Sequence, residues 1–412
     1  ILEEFMSLDI RPITENEVEQ AEAIVAYAFN TSDRRDLTPA IERARKFYPL
    51  DWTLASFEDG EMTAFIRVIP FAMRINGRGL SFGGVGPVVS LPQHRRKGHV
   101  GKLLRQALAD MRERGQVLSG LHTPHPTLYR RFGWEIASVH RMYSFAPKDI
   151  ALMAQPGERG HVRILKPDDW QQADRVYRQH ASQRNGPIHR ADVWWREAVF
   201  ATQQQQQAAT DVALWENGRG EPQGYVTYSQ AAQYDPDWPP FIVRELVALT
   251  ADAYLNLIMY VLRHDLPREI IWVAPPDDPF FSLVDDTRRV TVREEYDMLL
   301  RINDVGAALK LRAPAFPNHD TALTIRITDS SAPWNEGTYH IEVRDGETNV
   351  EQTSTEPDLV LSATTLAPVF NGFLSPTNGA LAGLIAARND EVLATADALF
   401  ATRYPPFCAD GF

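Results

Sequence analysis

The run Arg95-Arg96-Lys97-Gly98-His99-Val100-Gly101 carries the densest chemistry in this chain. It follows Val85-Gly86-Pro87-Val88-Val89-Ser90-Leu91-Pro92, which reads as a strand ended by proline, and leads into Val100, Leu103, Leu104, Ala107, Leu108 and Met111 at helical spacing. A helix start leaves several N–H groups without an internal partner, and its dipole is positive there. Such a start is an anion site, which Arg and Lys strengthen for phosphate. Gly98 and Gly101 admit close approach of the backbone to a diphosphate. The same residues also fit an ordinary strand-to-helix turn with a solvated basic cluster. Neither the Walker pattern G-x-x-x-x-G-K-[ST] nor a G-x-G-x-x-G dinucleotide fingerprint follows a strand here.

The elements around this loop read as mixed α/β. Thr14-Glu15-Asn16-Glu17 is a capping box opening a helix through Ala21, Ile24, Val25 and Ala28, and Thr38-Pro39 is a second helix start. Asp59-Gly60 and Asn76-Gly77 are hairpin turns joining strands Trp52–Glu58, Thr63–Ile69 and Leu80–Leu91. Val117–Leu121 and Trp134–Phe145 read as one strand each. A second copy then appears. Ile10–Val25 aligns with Val162–Tyr177, with Arg11/Arg163, Gln20/Gln172 and Ala21/Ala173 identical. Asn217-Gly218 echoes the earlier hairpin, Arg244–Thr250 the glycine-rich strand, and Ala251–His264 the helix after it. In the copy the helix begins directly after Thr250, with no Arg-x-x-Gly. A phosphate cradle is therefore expected only in the first unit. Gln155–Gly160 reads as a linker and Gln203–Gln207 as an exposed loop. From Met298 the pattern becomes strands Ala322–Thr328, Tyr339–Val343 and Leu359–Leu361 followed by helices, a separate α+β domain.

Composition narrows the partners. The 412 residues carry a formal net charge of −12, which disfavours nucleic acid and favours cationic ligands. A single cysteine, Cys408, excludes an internal disulfide and a Cys-based zinc site. The apolar run Leu255–Leu262 is far short of the roughly 20 residues of a membrane span. Ile1–Phe5 precede the first Met, hold two glutamates and no basic region, and read as appended residues rather than a signal peptide. A cytoplasmic enzyme is expected. His94, His99, His122, His125 and His140 lie close in sequence, but no H-E-x-x-H spacing supports a metal, and none is expected. Phe65, Phe71 and Phe82 read as strand-face packing.

The Arg95–Val100 stretch resembles the R-x-x-G-x-[GA] pyrophosphate loop of the GNAT acetyltransferases, with Val100 in place of Gly or Ala. The whole chain resembles the Eis (enhanced intracellular survival) family, most specifically in Pro92–Gly98, in Tyr129-Arg130-Arg131-Phe132-Gly133-Trp134 and in the final Phe412. The resemblance implies an α/β (α+β) architecture: a GNAT domain at 1–150, a degenerate GNAT-like domain at 151–297 and a sterol-carrier-protein-like domain at 298–412. It implies an N-acetyltransferase using acetyl-CoA, with no metal, acting on aminoglycoside-like polyamines or lysine side chains and assembled as a homohexamer. Val88, Val89 and Ser90 would meet pantetheine and thioester. Arg95, Arg96, Lys97, Gly98, His99, Val100 and Gly101 would hold the diphosphate. Pro124 and His125 stand where the family carries a small or acidic pair at a further coenzyme contact.

Acetyl transfer to an amine requires the amine to lose a proton and the departing thiolate to gain one. By the same resemblance Tyr129 is the general acid, as a phenol near pKa 10 stays protonated at neutral pH. The Phe412 carboxylate is the base, acting directly, through a water or by holding the cationic amine. Asp410 could pair with a second amine or be merely solvated, and Cys408 reads as a small buried hydrophobe. The competing readings are a lipid or sterol carrier, resting on the last domain, and a catalytically inactive scaffold.

Overall fold

Left-handed turns set the first sheet. Asp59 and Gly60 have φ of 50° and 83°, and Asn76 and Gly77 have 48° and 80°, the backbone a two-residue hairpin with right-handed strand twist demands. The computed structural model describes residues 8–29, 36–200, 210–230, 240–312, 314 and 320–412. The readings of Ile1–Phe5 and Gln203–Gln207 lie outside these residues. The strands are β1 (Asp9–Pro12), β2 (Thr53–Glu58), β3 (Glu61–Ile75), β4 (Arg78–Ser90), β5 (Leu118–His122), β6 (Glu135–Ile136), β7 (Val139–Phe145), β8 (His161–Ile164), β9 (Thr210–Glu216), β10 (Pro222–Gln230), β11 (Phe241–Ala248), β12 (Ile270–Ala274), β13 (Thr291–Tyr296) and β14 (Met298–Ile302). The first sheet runs β1-β2-β3-β4-β5-β14-β6 and the second β13-β7-β12-β11-β10-β9-β8.

The chain divides into two units. One comprises Ile1–Ala137, Met298–Thr402 and Gly411–Phe412, the other Ser138–Asp297 and Arg403–Asp410. This corrects the reading of Trp134–Phe145 as one strand. β6 stays in the first sheet, where Ala137 N donates to Met298 O at 3.0 Å, while β7 enters the second between β12 and β13. β14 takes the corresponding place between β5 and β6. The exchange cuts across the linear boundary drawn at residue 150. Which sheet a buried strand joins is decided by partners far away in sequence, which alternation along the strand does not reveal.

In the first unit, α1 (Val18–Ala28) and α2 (Thr38–Phe47) cover one sheet face, packing on Phe57, Phe65 and Val89. α3 (His99–Glu113) covers the other, packing on Leu54, Ala64, Ile66 and Val68. Neighbouring residues such as Phe65 and Ile66 point to opposite faces, as the strand period requires. The capping box at Thr14–Glu17 forms, with Thr14 N donating to Glu17 Oε2 at 2.7 Å.

In the second unit β8 pairs with β9 as β1 pairs with β2, and β11 with β12 in parallel as β4 with β5. The repeated ladder order agrees with a duplication. The Asn217-Gly218 turn is larger than a two-residue hairpin. Glu216 pairs with Pro222, Asn217 Oδ1 accepts from Arg219 N and Glu221 N, and Gly220 takes the left-handed position.

The third sheet, made of Thr321–Thr328, Gly337–Arg344, Glu347–Gln352, Leu359–Ser362 and Ile385–Ala387, belongs to the first unit. Its helices Ala363–Phe370 and Asp390–Phe400 are capped by Ser362 and Asn389. Arg312 is buried there with no carboxylate beside it among the described residues, and donates to the carbonyls of Phe370, Leu399, Phe400 and Ala401. Burial pushes its pKa down to about 10. The adjoining cavity, lined by Leu309, Ile341, Val343 and Phe400, has room of about 10 Å³, one water at most.

Candidate active site

β4 supplies the site because it leaves its neighbour. It pairs in parallel with β5 only from Phe82 to Gly84, opposite Leu118 to Gly120. Beyond Gly84 its ladder continues with β3 alone, where Val88, Val89 and Ser90 face Ile66, Phe65 and Ala64. A bulge between Ile66 and Val68, opposite Val85–Val88, bends the strand at the divergence. Residues 88–90 therefore present one backbone edge to an opening between two parallel strands.

The loop after β4 is held in a strained form. Arg96 has φ of 66° and Gly98, which precedes the helix, 86°. Glycine accepts this region freely and arginine at a cost. α3 begins with no side-chain cap. Arg95, Arg96, Lys97 and Gly98 are exposed, while His99 is buried. A side chain at Gly101 would meet the Phe132 ring at 3.1 Å, so packing by itself also favours a glycine there. The equivalent helix start in the second unit is already satisfied: Thr250 Oγ1 accepts from Ala253 N and no basic loop precedes it.

A carboxylate the sequence reading overlooked organises the loop. Glu58, the last residue of β2, approaches Lys97 Nζ at 3.0 Å, His94 Nδ1 at 3.1 Å and His99 Nε2 at 3.1 Å. His99 Nδ1 shares a 2.8 Å hydrogen bond with Thr63 Oγ1. The Lys97 hydrogen bond holds Glu58 below the usual carboxylate range, and burial lowers His99. Two other histidines of the group go elsewhere: His122 lies against Phe412, and His140 is 3.8 Å from Asp297 in the second unit.

Tyr129 sits on α4 (Pro126–Arg130) and is buried against Trp134 in an edge-to-face pair with centroids 6.4 Å apart. It shares a core cluster with Leu103, Leu104 and Phe132, with Val88 and Val100 at the margin. The structure thus gathers Tyr129, β4 and α3 around one core. Burial pushes its phenol up to about 12. Gly133, with φ of 88°, has no room for a side chain, as a Cβ would lie 1.8 Å from Arg301 Nη1. Pro124 and His125 are exposed, and His125 N donates to Thr123 Oγ1 at the start of α4.

Phe412 lies on β4. Its ring is surrounded by Phe71, Phe82 and His122 at centroid distances of 5.4, 5.6 and 5.1 Å. A Cβ on Gly84 would stand 2.8 Å from the ring, and one on Gly86 3.0 Å from the Phe412 oxygen. Gly84 and Gly86 of β4 therefore make room for this residue, and two members of the Phe65–Phe82 stripe hold its ring. Gly86→Ala is expected to displace Phe412 from β4 with little change in melting temperature. A crystal structure of the variant with Phe412 unmoved would contradict this.

Asp410 is neither solvated nor free for substrate. It is buried in the second unit, where Arg190 Nε donates to its Oδ1 at 2.9 Å and Trp194 Nε1 at 2.7 Å. Arg190 also grips Glu245 through both terminal nitrogens, at 3.0 and 2.9 Å, and covers the Tyr177 ring at 4.0 Å. Cys408 is buried beside it, as a small hydrophobe.

A parallel strand pair that splays beside a basic, uncapped helix start defines the class: a GNAT acyltransferase. Acetyltransferase (GNAT) domain models match residues 9–137 and 186–302, and a sterol carrier protein domain model matches 305–409. An uncharacterized N-acetyltransferase of Streptomyces avermitilis is 26% identical over 83% of this chain and 85% of its own. The N-acetyltransferase Eis of Mycobacterium tuberculosis is 26% identical over 82% and 81%. The crystal structure of Eis1 from Mycobacterium abscessus matches with a TM-score of 0.81 and 26% identity, covering 98% of this chain and 100% of that one. With two GNAT domains matched, the chain belongs to the GNAT acyltransferases and is similar to Eis over most of its length.

Proposed function

We propose that the first unit transfers the acetyl group of acetyl-CoA to an amine. The uncapped start of α3 at the end of the splayed β4 carries this reading. The first-turn N–H groups, with Arg95 and Arg96, take the diphosphate. The edge of Val88–Ser90 that faces away from β3 takes the pantetheine arm. The amine nitrogen attacks the thioester carbonyl carbon, the C–S bond breaks and an amide bond forms. The ammonium proton passes to the Phe412 carboxylate, directly or through a water, and the Tyr129 hydroxyl proton passes to the leaving thiolate. The products are an N-acetylamine and the free thiol. A phenol raised to about 12 stays protonated across the neutral range, so it remains a donor there.

The net charge of −12 favours cationic acceptors, aminoglycoside-like polyamines or lysine side chains. The resemblance adds a homohexamer as the working assembly, which sedimentation tests. Among the described residues no helix is long and apolar enough to cross a membrane.

Calorimetric titration with acetyl-CoA tests the reading. Saturable binding is expected, weakened about tenfold or more in Arg95→Ala/Arg96→Ala, the effect of losing charge-assisted hydrogen bonds. Heat that does not saturate would refute it. Tyr129→Phe should lower kcat about a hundredfold with acetyl-CoA affinity unchanged. A loss confined to affinity would remove Tyr129 from the acid role.

A further inference from the structure

We infer that Glu58 is the positioning residue of the diphosphate loop, which it shapes from a hairpin end outside the loop's own sequence. The inference rests on the acetyl-CoA reading of residues 95–101 above. One carboxylate collects donors from before, within and after the loop: His94, Lys97 and His99. Between these anchors lie Arg96 and Gly98, both left-handed. The anchors supply the over-determination that a strained arginine backbone needs. The Glu58 side chain is 12% exposed, so its interactions are only partly screened by water.

The charges decide what each residue does. A carboxylate beside a diphosphate is adverse unless it is neutralised. Lys97 neutralises Glu58, and in doing so its ammonium is committed to the protein rather than to the ligand. The positive charge offered to the diphosphate then comes from Arg95, Arg96 and the helix dipole. Behind the loop, His99 is fixed from its other side by Thr63, whose hydroxyl lies 2.8 Å from Ser56 Oγ. The polar chain Ser56–Thr63–His99–Glu58–Lys97 thus links the β2–β3 hairpin to the start of α3. Glu58 touches no reacting atom and acts only through the loop.

A double-mutant cycle on Glu58 and Lys97 tests this, read by acetyl-CoA binding and by steady-state kinetics. Glu58→Ala is expected to raise the Kd and KM for acetyl-CoA about tenfold or more, with kcat at saturating acetyl-CoA within about twofold of the parent. Glu58→Gln, which keeps one acceptor oxygen, should fall between. Lys97→Met should weaken binding alone yet add nothing to Glu58→Ala, because both changes break one unit. Additive losses would show that Lys97 reads the phosphate itself and overturn the inference, as would wild-type affinity in Glu58→Ala. A parent protein that does not bind acetyl-CoA at all would instead overturn the acetyl-CoA reading. Should Glu58→Ala fail to fold, Glu58→Gln paired with Lys97→Met gives the cycle with a smaller expected coupling, and strictly additive losses overturn the inference there too.

Discussion

Extending the chain past Phe412 by a short Gly-Ser segment is expected to lower kcat by about 10²- to 10⁴-fold, the range for losing a general base, while acetyl-CoA affinity stays within about twofold. On the proposed role of Phe412 as base, the extension converts its carboxylate to an amide, which accepts no proton at working pH. The ring can keep its place among Phe71, Phe82 and His122, since the aromatic contacts do not involve the carboxyl group. Deleting Phe412 removes both anchor and carboxylate and should cost at least as much. Gly84 and Gly86 lie under the residue with no space for a side chain, so the position is shaped around Phe412 and its oxygen. Phe412→Ala separates the two contributions, keeping a carboxylate while losing the anchor, and a partial loss is expected. Unchanged kcat in the extended protein would remove Phe412 from the chemistry.

The second large effect is on stability. Arg190 is 2% exposed at its side chain and holds two buried carboxylates, Asp410 and Glu245. Arg190→Met leaves both without their cation and is expected to cost about 3–5 kcal/mol in denaturant unfolding. It should also release residues 403–410, so their amides exchange with solvent faster. Phe407 N now donates to Asn185 O at 3.0 Å, and Gly186, at φ of 103°, leaves the room in which Phe407 sits. Combining Arg190→Met with Glu245→Gln and Asp410→Asn removes the unpaired charges and should recover much of the loss. A single variant within about 1 kcal/mol of the parent would show that the cluster is not a fastening.

The readable parts of this molecule were local. The Asp59-Gly60 and Asn76-Gly77 turns need only two residues to announce a left-handed backbone, and both formed. The run from Pro92 to Met111 announced a loop and an amphipathic helix, because apolar spacing and glycine act within a few turns of chain. What stayed hidden depends on distant partners. The exchange of β7 and β14 between sheets leaves each strand's own pattern intact. Glu58 lies 39 residues from Lys97, and Arg190 lies 220 from Asp410. Nothing in a single sequence links a carboxylate to a cation at such separations. Asp410 illustrates the consequence: its type and place near the chain's last residue suggest a substrate contact, whereas burial beside Arg190 gives it a structural task. Gly101 and Gly133 show the same limit, since both are required by side chains, Phe132 and Arg301, that the local pattern does not name.

The most direct measurement is thiol release from acetyl-CoA in the presence of a panel of amines, with the products identified by mass. Amine-dependent release is expected, matched one for one by N-acetylated amine and strongest for cationic polyamines and lysine side chains. Release that is independent of amine, or that yields no acetylated product, would contradict acetyl transfer to an amine in the first unit.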